Sequence, residues 1–153
     1  MRSNWINNKE EMFQVIDKCD TCYVSMVDQN KMPYVVPMNF GLQDGVIYLH
    51  SSGKGKKMDI LQQNNNVCIA FSTDHQLKFQ NKDVACSYAM RYRSVLIYGQ
   101  VEFIEEAEAK IEKLNIIMQK YTGREFSYNA PAIREVSVWK VVIREMIGKK
   151  LGY

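Results

Sequence analysis

The densest concentration of potential chemistry lies directly after His50, in Ser51, Ser52, Gly53, Lys54, Gly55, Lys56 and Lys57. Two hydroxyls, two glycines and three lysines stand between an apolar run that ends at His50 and a helical pattern that starts near Met58. Backbone N–H groups at a helix start, the helix macrodipole, and Ser and Lys side chains would all face an anion there. Glycines let the backbone approach such a ligand closely. The same residues also suit a solvated, charged turn, and both readings stand on the sequence alone. The spacing does not fit GxxxxGK[ST], which argues against a nucleoside triphosphate. No GxGxxG follows a strand, which argues against a dinucleotide on a βαβ unit. A monophosphate suits the loop better.

His50 stands at the mouth of this loop, where an imidazole can be catalytic or structural. His75 lies in a polar stretch with no evident partner. No Ser-His-Asp order, HExxH or paired-carboxylate context emerges. The four cysteines are Cys19, Cys22, Cys68 and Cys86. Cys19 and Cys22 form a CxxC, but zinc would want a second ligand pair at similar spacing. A thioredoxin-type pair follows a strand and opens a helix; here the pair closes a helical pattern and enters a strand. Reduced, buried thiols are the expectation, with no metal site.

The elements that must position these residues read as a mainly β chain. Asn8 is placed to cap a first helix, in which Met12, Val15, Ile16 and Cys19 recur at helical spacing. Strands are expected over 23–27, 33–41 and 46–50, with polar turns at 28–31 and 43–45. A short helix with Met58 and Leu61 inward follows, then a strand over 67–71. The stretch from 72 to 87 is polar and carries no clear assignment. A long strand is expected over 90–104, with Gly99 as a bulge or bend. The clearest helix comes next, loaded with Glu105, Glu106 and Glu108 at its start and closed by Gly123. Pro131 is expected in a loop, and a final strand over 136–147. Six or so strands with few helices suggest a closed or split antiparallel barrel with helical additions.

Composition narrows the class. The chain has 153 residues, the size of one domain that buries roughly two-thirds of its unfolded surface without disulfides or metal. Hydrophobic residues at 46% and charged residues at 24% are ordinary for a globular protein. A net charge of +3 is too small for a dedicated nucleic-acid binder. No apolar run approaches the roughly 18–20 residues of a membrane span. The first residues show no apolar signal core, so a soluble, cytoplasmic domain is expected.

Several blocks, taken in order, resemble the FMN-binding split-barrel family. They are Tyr34-Val35-Val36-Pro37-Met38-Asn39-Phe40-Gly41, then Asp44-Gly45-Val46-Ile47-Tyr48-Leu49-His50-Ser51-Ser52, then Gly55-Lys56-Lys57. Asn65-Asn66-Val67-Cys68, Tyr92-Arg93-Ser94-Val95 with Gly99, and Trp139-Lys140-Val141 with Gly148-Lys149-Lys150 continue the series. The chain is similar to the pyridoxamine 5'-phosphate oxidase-like superfamily and, within it, to the nitroimidazole-resistance branch. The resemblance implies a mainly β fold, a six-stranded antiparallel split β-barrel with a few flanking helices. It implies a homodimer with two FMN sites at the subunit interface. Pro37, Met38 and Asn39 would line the flavin ring, partly through backbone. His50, Ser51 and Ser52 would run from ring to ribityl and phosphate, and Lys56 and Lys57 would meet the phosphate. Tyr92, Ser94 and Trp139 would complete the site, some of them from the second subunit. His50 is the candidate catalytic residue. The implied activity is two-electron reduction of a small oxidised molecule, a nitro compound among the options. Non-catalytic FMN binding, or heme on the same barrel, are the alternatives. The family's Arg/His-bearing substrate motif near the C-terminus has no counterpart in 147–153, so vitamin B6 oxidation is not expected.

Overall fold

A computed structural model describes residues 2–153. Strand β1 (Ser3–Ile6) leads into helix α1 (Lys9–Lys18). Asn8 caps α1: its Oδ1 accepts from the Glu11 N–H at 3.1 Å, and acidic residues fill the first turn. Met12, Val15 and Ile16 form the buried stripe. Strands β2 (Cys22–Val27) and β3 (Pro33–Met38) make a hairpin turned by Asp28, whose carboxylate accepts from the N–H groups of Asn30 and Met32 at 2.8 and 2.9 Å. Strands β4 (Gly41–Gln43) and β5 (Val46–Ser52) make a second hairpin across Asp44 and Gly45. Helix α2 (Lys56–Gln63) follows, then the long strands β6 (Asn66–Lys78) and β7 (Ala89–Ile104). Helices α3 (Ala107–Thr122) and α4 (Ala130–Glu135) precede the last strand, β8 (Val136–Leu151).

The eight strands form one antiparallel sheet in the order β3-β2-β6-β7-β8-β5-β4, with β1 also on β8. The sheet is not closed. β8 pairs with β7 along its length, with β5 over Val136–Val141 and with β1 over Gly148–Leu151. One face is apolar: Val24, Phe40, Leu49, Ile69, Ile97 and Trp139 lie fully buried there, with the stripe of α1 packed on them. This is the mainly β, split-barrel architecture that the sequence implies.

The differences from expectation are local. The sheet has eight strands, not six: β1 pairs through backbone groups in a polar stretch with little apolar signal, and β4 is a strand of its own. The expected strand over 33–41 breaks at Asn39 and Phe40, and β4 starts a new hairpin. The polar stretch after 71 continues β6 to Lys78, because β7 offers a partner as far as Ala89. Pro131 sits at the start of α4, not in a loop; Asn129 caps that helix by accepting from the Ala132 N–H at 2.9 Å. Cys19 and Cys22 are buried, whereas Cys68 is half-buried and Cys86 exposed. The expected bulge at Gly99 is present. β8 shifts register there, and a Cβ on Gly99 would collide with the Val142 carbonyl oxygen. Among the described residues no helix is long and apolar enough to cross a membrane.

Candidate functional site

The loop after β5 is held by a relay of backbone contacts. Lys110, buried on α3, donates to the carbonyls of Ile133 and Val136 at 3.1 and 2.9 Å and so fixes α4. At the end of α4 the Glu135 carbonyl accepts from the Gly53 N–H at 3.1 Å. The Lys54 N–H then donates to Ser52 Oγ at 3.3 Å. Gly55, at φ 110° and ψ 178°, turns the chain into α2 through a conformation close to glycine-only. No atom lies within 4 Å of where its Cβ would stand, so the backbone there is open to approach.

The start of α2 carries more positive than negative charge, with Asp59 the acidic residue of its first turn. Gly55 offers no side-chain cap, so no side chain satisfies the first-turn N–H groups. Lys56 and Lys57 place two cations at the positive end of the helix dipole, where anionic groups are favoured. An external anion would accept from the free N–H groups and offset that repulsion. Lys56 Nζ lies 4.6 Å from the centroid of the Tyr34 ring on β3, which ties the loop to the strand of Pro37 and Met38. Lys57 is half-buried and takes part in none of the ion pairs among the described residues.

His50 lies opposite Val138 of β8 and is half-buried. Its Nδ1 is buried without a hydrogen-bond partner. Burial pushes its pKa below the ordinary 6.5, so the ring is neutral near pH 7. Ser51 Oγ donates to the Ser52 carbonyl at 2.8 Å, and Ser52 is exposed beside the helix start. A phosphate acceptor at α2 and a polar atom to meet Nδ1 are what these groups lack, and a phosphorylated flavin carries both.

The remaining expected residues fall into separate places. Pro37 and Asn39 are exposed at the end of β3, and Asn39 Nδ2 donates to the Asp20 carbonyl at 3.4 Å. Met38 is buried and pairs with Cys22 of β2. Trp139 has no exposed surface. Its indole N–H donates to Ser137 Oγ at 3.1 Å, and its ring meets Phe103 edge-on at 6.1 Å. In one chain Trp139 therefore backs β5 beside Leu49 and presents no face to a ligand. Tyr92 and Ser94 sit near the opposite end of β7 from Ile104, the residue paired with Val138. Roughly 30 Å of strand path separates Ser94 from that end. One chain brings together His50, Ser51, Ser52, Lys56 and Lys57, with Tyr34 of β3 on Lys56, whereas Pro37, Met38 and Asn39 lie at the other end of β3 beside Asp20, and Tyr92 and Ser94 lie far along β7. The residue that sequence reasoning left without a role is Tyr34, because a cation–ring contact across two elements leaves no periodic signal.

Two clefts flank the loop. One of about 190 Å³ is lined by Asn30, Lys56 and Asp59, and the other, of about 220 Å³, by Gly53, Arg134 and Ser137. Both are smaller than the roughly 300–1,000 Å³ of a typical cofactor pocket. Larger clefts lie elsewhere, of about 350 Å³ beside Phe13 and Val142 and about 390 Å³ at Phe79 and Tyr88.

The pyridoxamine 5'-phosphate oxidase family pattern matches residues 8–150. The crystal structure of a candidate 5-nitroimidazole antibiotic resistance protein from Bacteroides thetaiotaomicron is similar at 46% identity and a TM-score of 0.88, covering 97% of this chain and 87% of that one. A flavocytochrome from Azotobacter vinelandii is similar at 22% identity and a TM-score of 0.82, over 99% of this chain and 70% of its own. A FAD and heme binding protein from Mycobacterium smegmatis is similar at 17% identity and a TM-score of 0.82, over 96% and 72%. At those identities the last two show the shared fold. No curated protein matches the chain.

Proposed function

Because the chain belongs to the pyridoxamine 5'-phosphate oxidase family, we propose that it is an FMN-dependent oxidoreductase that reduces a small molecule. The observation that carries the reading is the start of α2: an uncapped helix end, open backbone at Gly55, and Lys56 and Lys57 against the single carboxylate of Asp59 in the first turn, a net positive helix start that suits an anion. A monophosphate fits those groups, which favours FMN over FAD.

The residues divide the work by position. Ser52, Lys56, Lys57 and the first N–H groups of α2 hold the phosphate. Pro37, Met38 and Asn39 lie along the strand next to the Lys56–Tyr34 contact and line the ring, Met38 through its backbone. His50, kept neutral by burial, offers Nδ1 as a single donor or acceptor at the inner end of the loop. Bound FMN would supply the two-electron chemistry, and the protein supplies binding, orientation and electrostatics. The relative with 46% identity is a candidate 5-nitroimidazole resistance protein, which makes a nitro compound the first substrate to test. Tyr92 and Ser94 reach the site from a second copy, so the unit is a homodimer with the cofactor between subunits.

The test is direct. Purified protein should show the two visible flavin bands and release FMN on denaturation. Colourless protein that takes up no supplied FMN overturns the reading. A Soret band in place of flavin bands would assign the barrel to heme. Yellow protein that NAD(P)H cannot reduce, and that leaves nitro compounds intact, would make it a flavin carrier without turnover.

A further inference from the structure

We propose that Lys110 is the positioning residue of the loop after β5: from α3 it fixes the peptide that anchors Gly53, and through that backbone it sets how tightly the loop holds a phosphate. The inference rests on the FMN reading of the loop, and it names a residue outside the loop that governs it.

Among the described residues Lys110 is the only buried charged side chain, 9% exposed. A lysine is almost never so buried unless acceptors match its ammonium. Here the acceptors are backbone groups, the carbonyls of Ile133 at 3.1 Å and Val136 at 2.9 Å. No carboxylate pairs with it among the described residues. Both carbonyls belong to the end of α4, which is only six residues long. A helix that short does not hold itself together, and its last carbonyls find no partner within it. Lys110 supplies that partner from another element and sets a cation at the negative end of the helix.

The two carbonyls that Lys110 holds bracket Glu135. The Glu135 carbonyl is the one that accepts from the Gly53 N–H at 3.1 Å. A Cβ on Gly53 would stand 3.1 Å from the same oxygen, so the approach is close on the loop side as well. Beside it, Ser52 pairs with Val136 and Ser51 with Ser137. Next in the chain come Lys54, whose N–H donates to Ser52 Oγ, and Gly55, which turns into α2. One ammonium thus fixes the peptide on which the entry to α2 hangs. The expected ring-lining residues hang elsewhere: Pro37 and Met38 pair with β2, and Asn39 donates to the Asp20 carbonyl. Loss of Lys110 should therefore be felt at the phosphate end of the ligand and not at the ring. A lysine that served only the stability of the fold would show no such preference.

The experiment titrates the full-length protein with FMN and with riboflavin, and measures amide hydrogen exchange of the flavin-free protein beside it. Lys110→Met keeps the apolar stem and removes the donors. It should weaken FMN about 10- to 100-fold, the range typical for loss of a residue that orients a binding group, and leave riboflavin unchanged. In the flavin-free protein the Gly53 amide should exchange at least about tenfold faster. Gly53→Ala, which presses a Cβ on the Glu135 oxygen, should give the same FMN-selective loss. The double variant should bind FMN no more weakly than the weaker single variant, because both changes break one relay. Unchanged FMN affinity in Lys110→Met, equal losses for FMN and riboflavin, or losses that multiply in the double variant overturn the proposal. If Lys110→Met does not fold by circular dichroism, Lys110→Gln replaces it with the same outcomes. Wild-type protein that binds neither flavin refutes the flavin reading instead. The Gly53 exchange rate then still decides the relay, and an unchanged rate in the Lys110 variant overturns it.

Discussion

Replacing Lys57 by alanine separates an anion site from a charged turn, because the two assign opposite signs to one side chain. In the free protein Lys57 lies in the first turn of α2, against the helix dipole and without an ion-pair partner among the described residues. Its removal should leave the apo protein as stable as before, or more stable by about 0.3–1 kcal/mol. With a phosphate at the helix start the same ammonium makes a charge-assisted hydrogen bond. Such a bond is worth about 1.5–3 kcal/mol, so Lys57→Ala should weaken FMN binding by about 10- to 150-fold. The assay is quenching of FMN fluorescence on titration with apoprotein, beside urea unfolding of the same preparations. Riboflavin, which lacks the phosphate, is the internal control and should bind both proteins alike. The FMN difference should shrink as salt rises from 0.15 M, where charges beyond about 8 Å are screened, towards 1 M, where that length falls to about 3 Å. Equal losses for FMN and riboflavin would mean that the substitution disturbs the ring pocket and not a phosphate contact. Unchanged FMN affinity would return the loop to a solvated turn.

Four further outcomes follow from the geometry. His50→Asn should keep flavin bound and change turnover, measured as nitro-substrate consumption under anaerobic conditions; identical kinetics would make His50 structural. The pKa of His50 is lowered by burial, so the unfolded chain takes up its proton first. Stability from this group is complete above about pH 6.5 and declines as pH falls through the lower folded value, and urea midpoints should show less of that acid loss in His50→Asn. Gly55→Ala meets no neighbouring atom yet should cost about 1–3 kcal/mol from its backbone angles alone, and an unchanged urea midpoint would refute that. Trp139→Ala should cost about 3–5 kcal/mol as a core cavity; loss of flavin binding at full stability would instead make Trp139 a ligand contact.

The legible parts of the fold were those written in side-chain chemistry close in sequence. Asn8 and its acidic first turn announced α1, Asp44-Gly45 announced the β4–β5 hairpin, and Gly99 announced the bulge. β1 and the outer half of β6 were not legible, because they pair through backbone groups with partners supplied by distant strands. The site divided in the same way. The loop after His50 was readable because its glycines, lysines and hydroxyls are contiguous. The inward position of Trp139, the contact of Tyr34 with Lys56, and the distance of Ser94 from the loop depend on which strands lie side by side.

That separation of Ser94 from the loop also decides how cavity size should be weighed. The larger clefts, beside Phe13 and at Phe79 and Tyr88, lack the helix start and the orphaned imidazole nitrogen, whereas the clefts at the loop are too small to enclose a flavin. Size and chemistry disagree within a single chain. In the homodimer proposed above, a second copy would add the wall that the small clefts at the loop lack, and Tyr92 and Ser94 would belong to that wall. A pocket half built in each chain would account at once for small clefts beside the lysines and for expected site residues at the far end of β7.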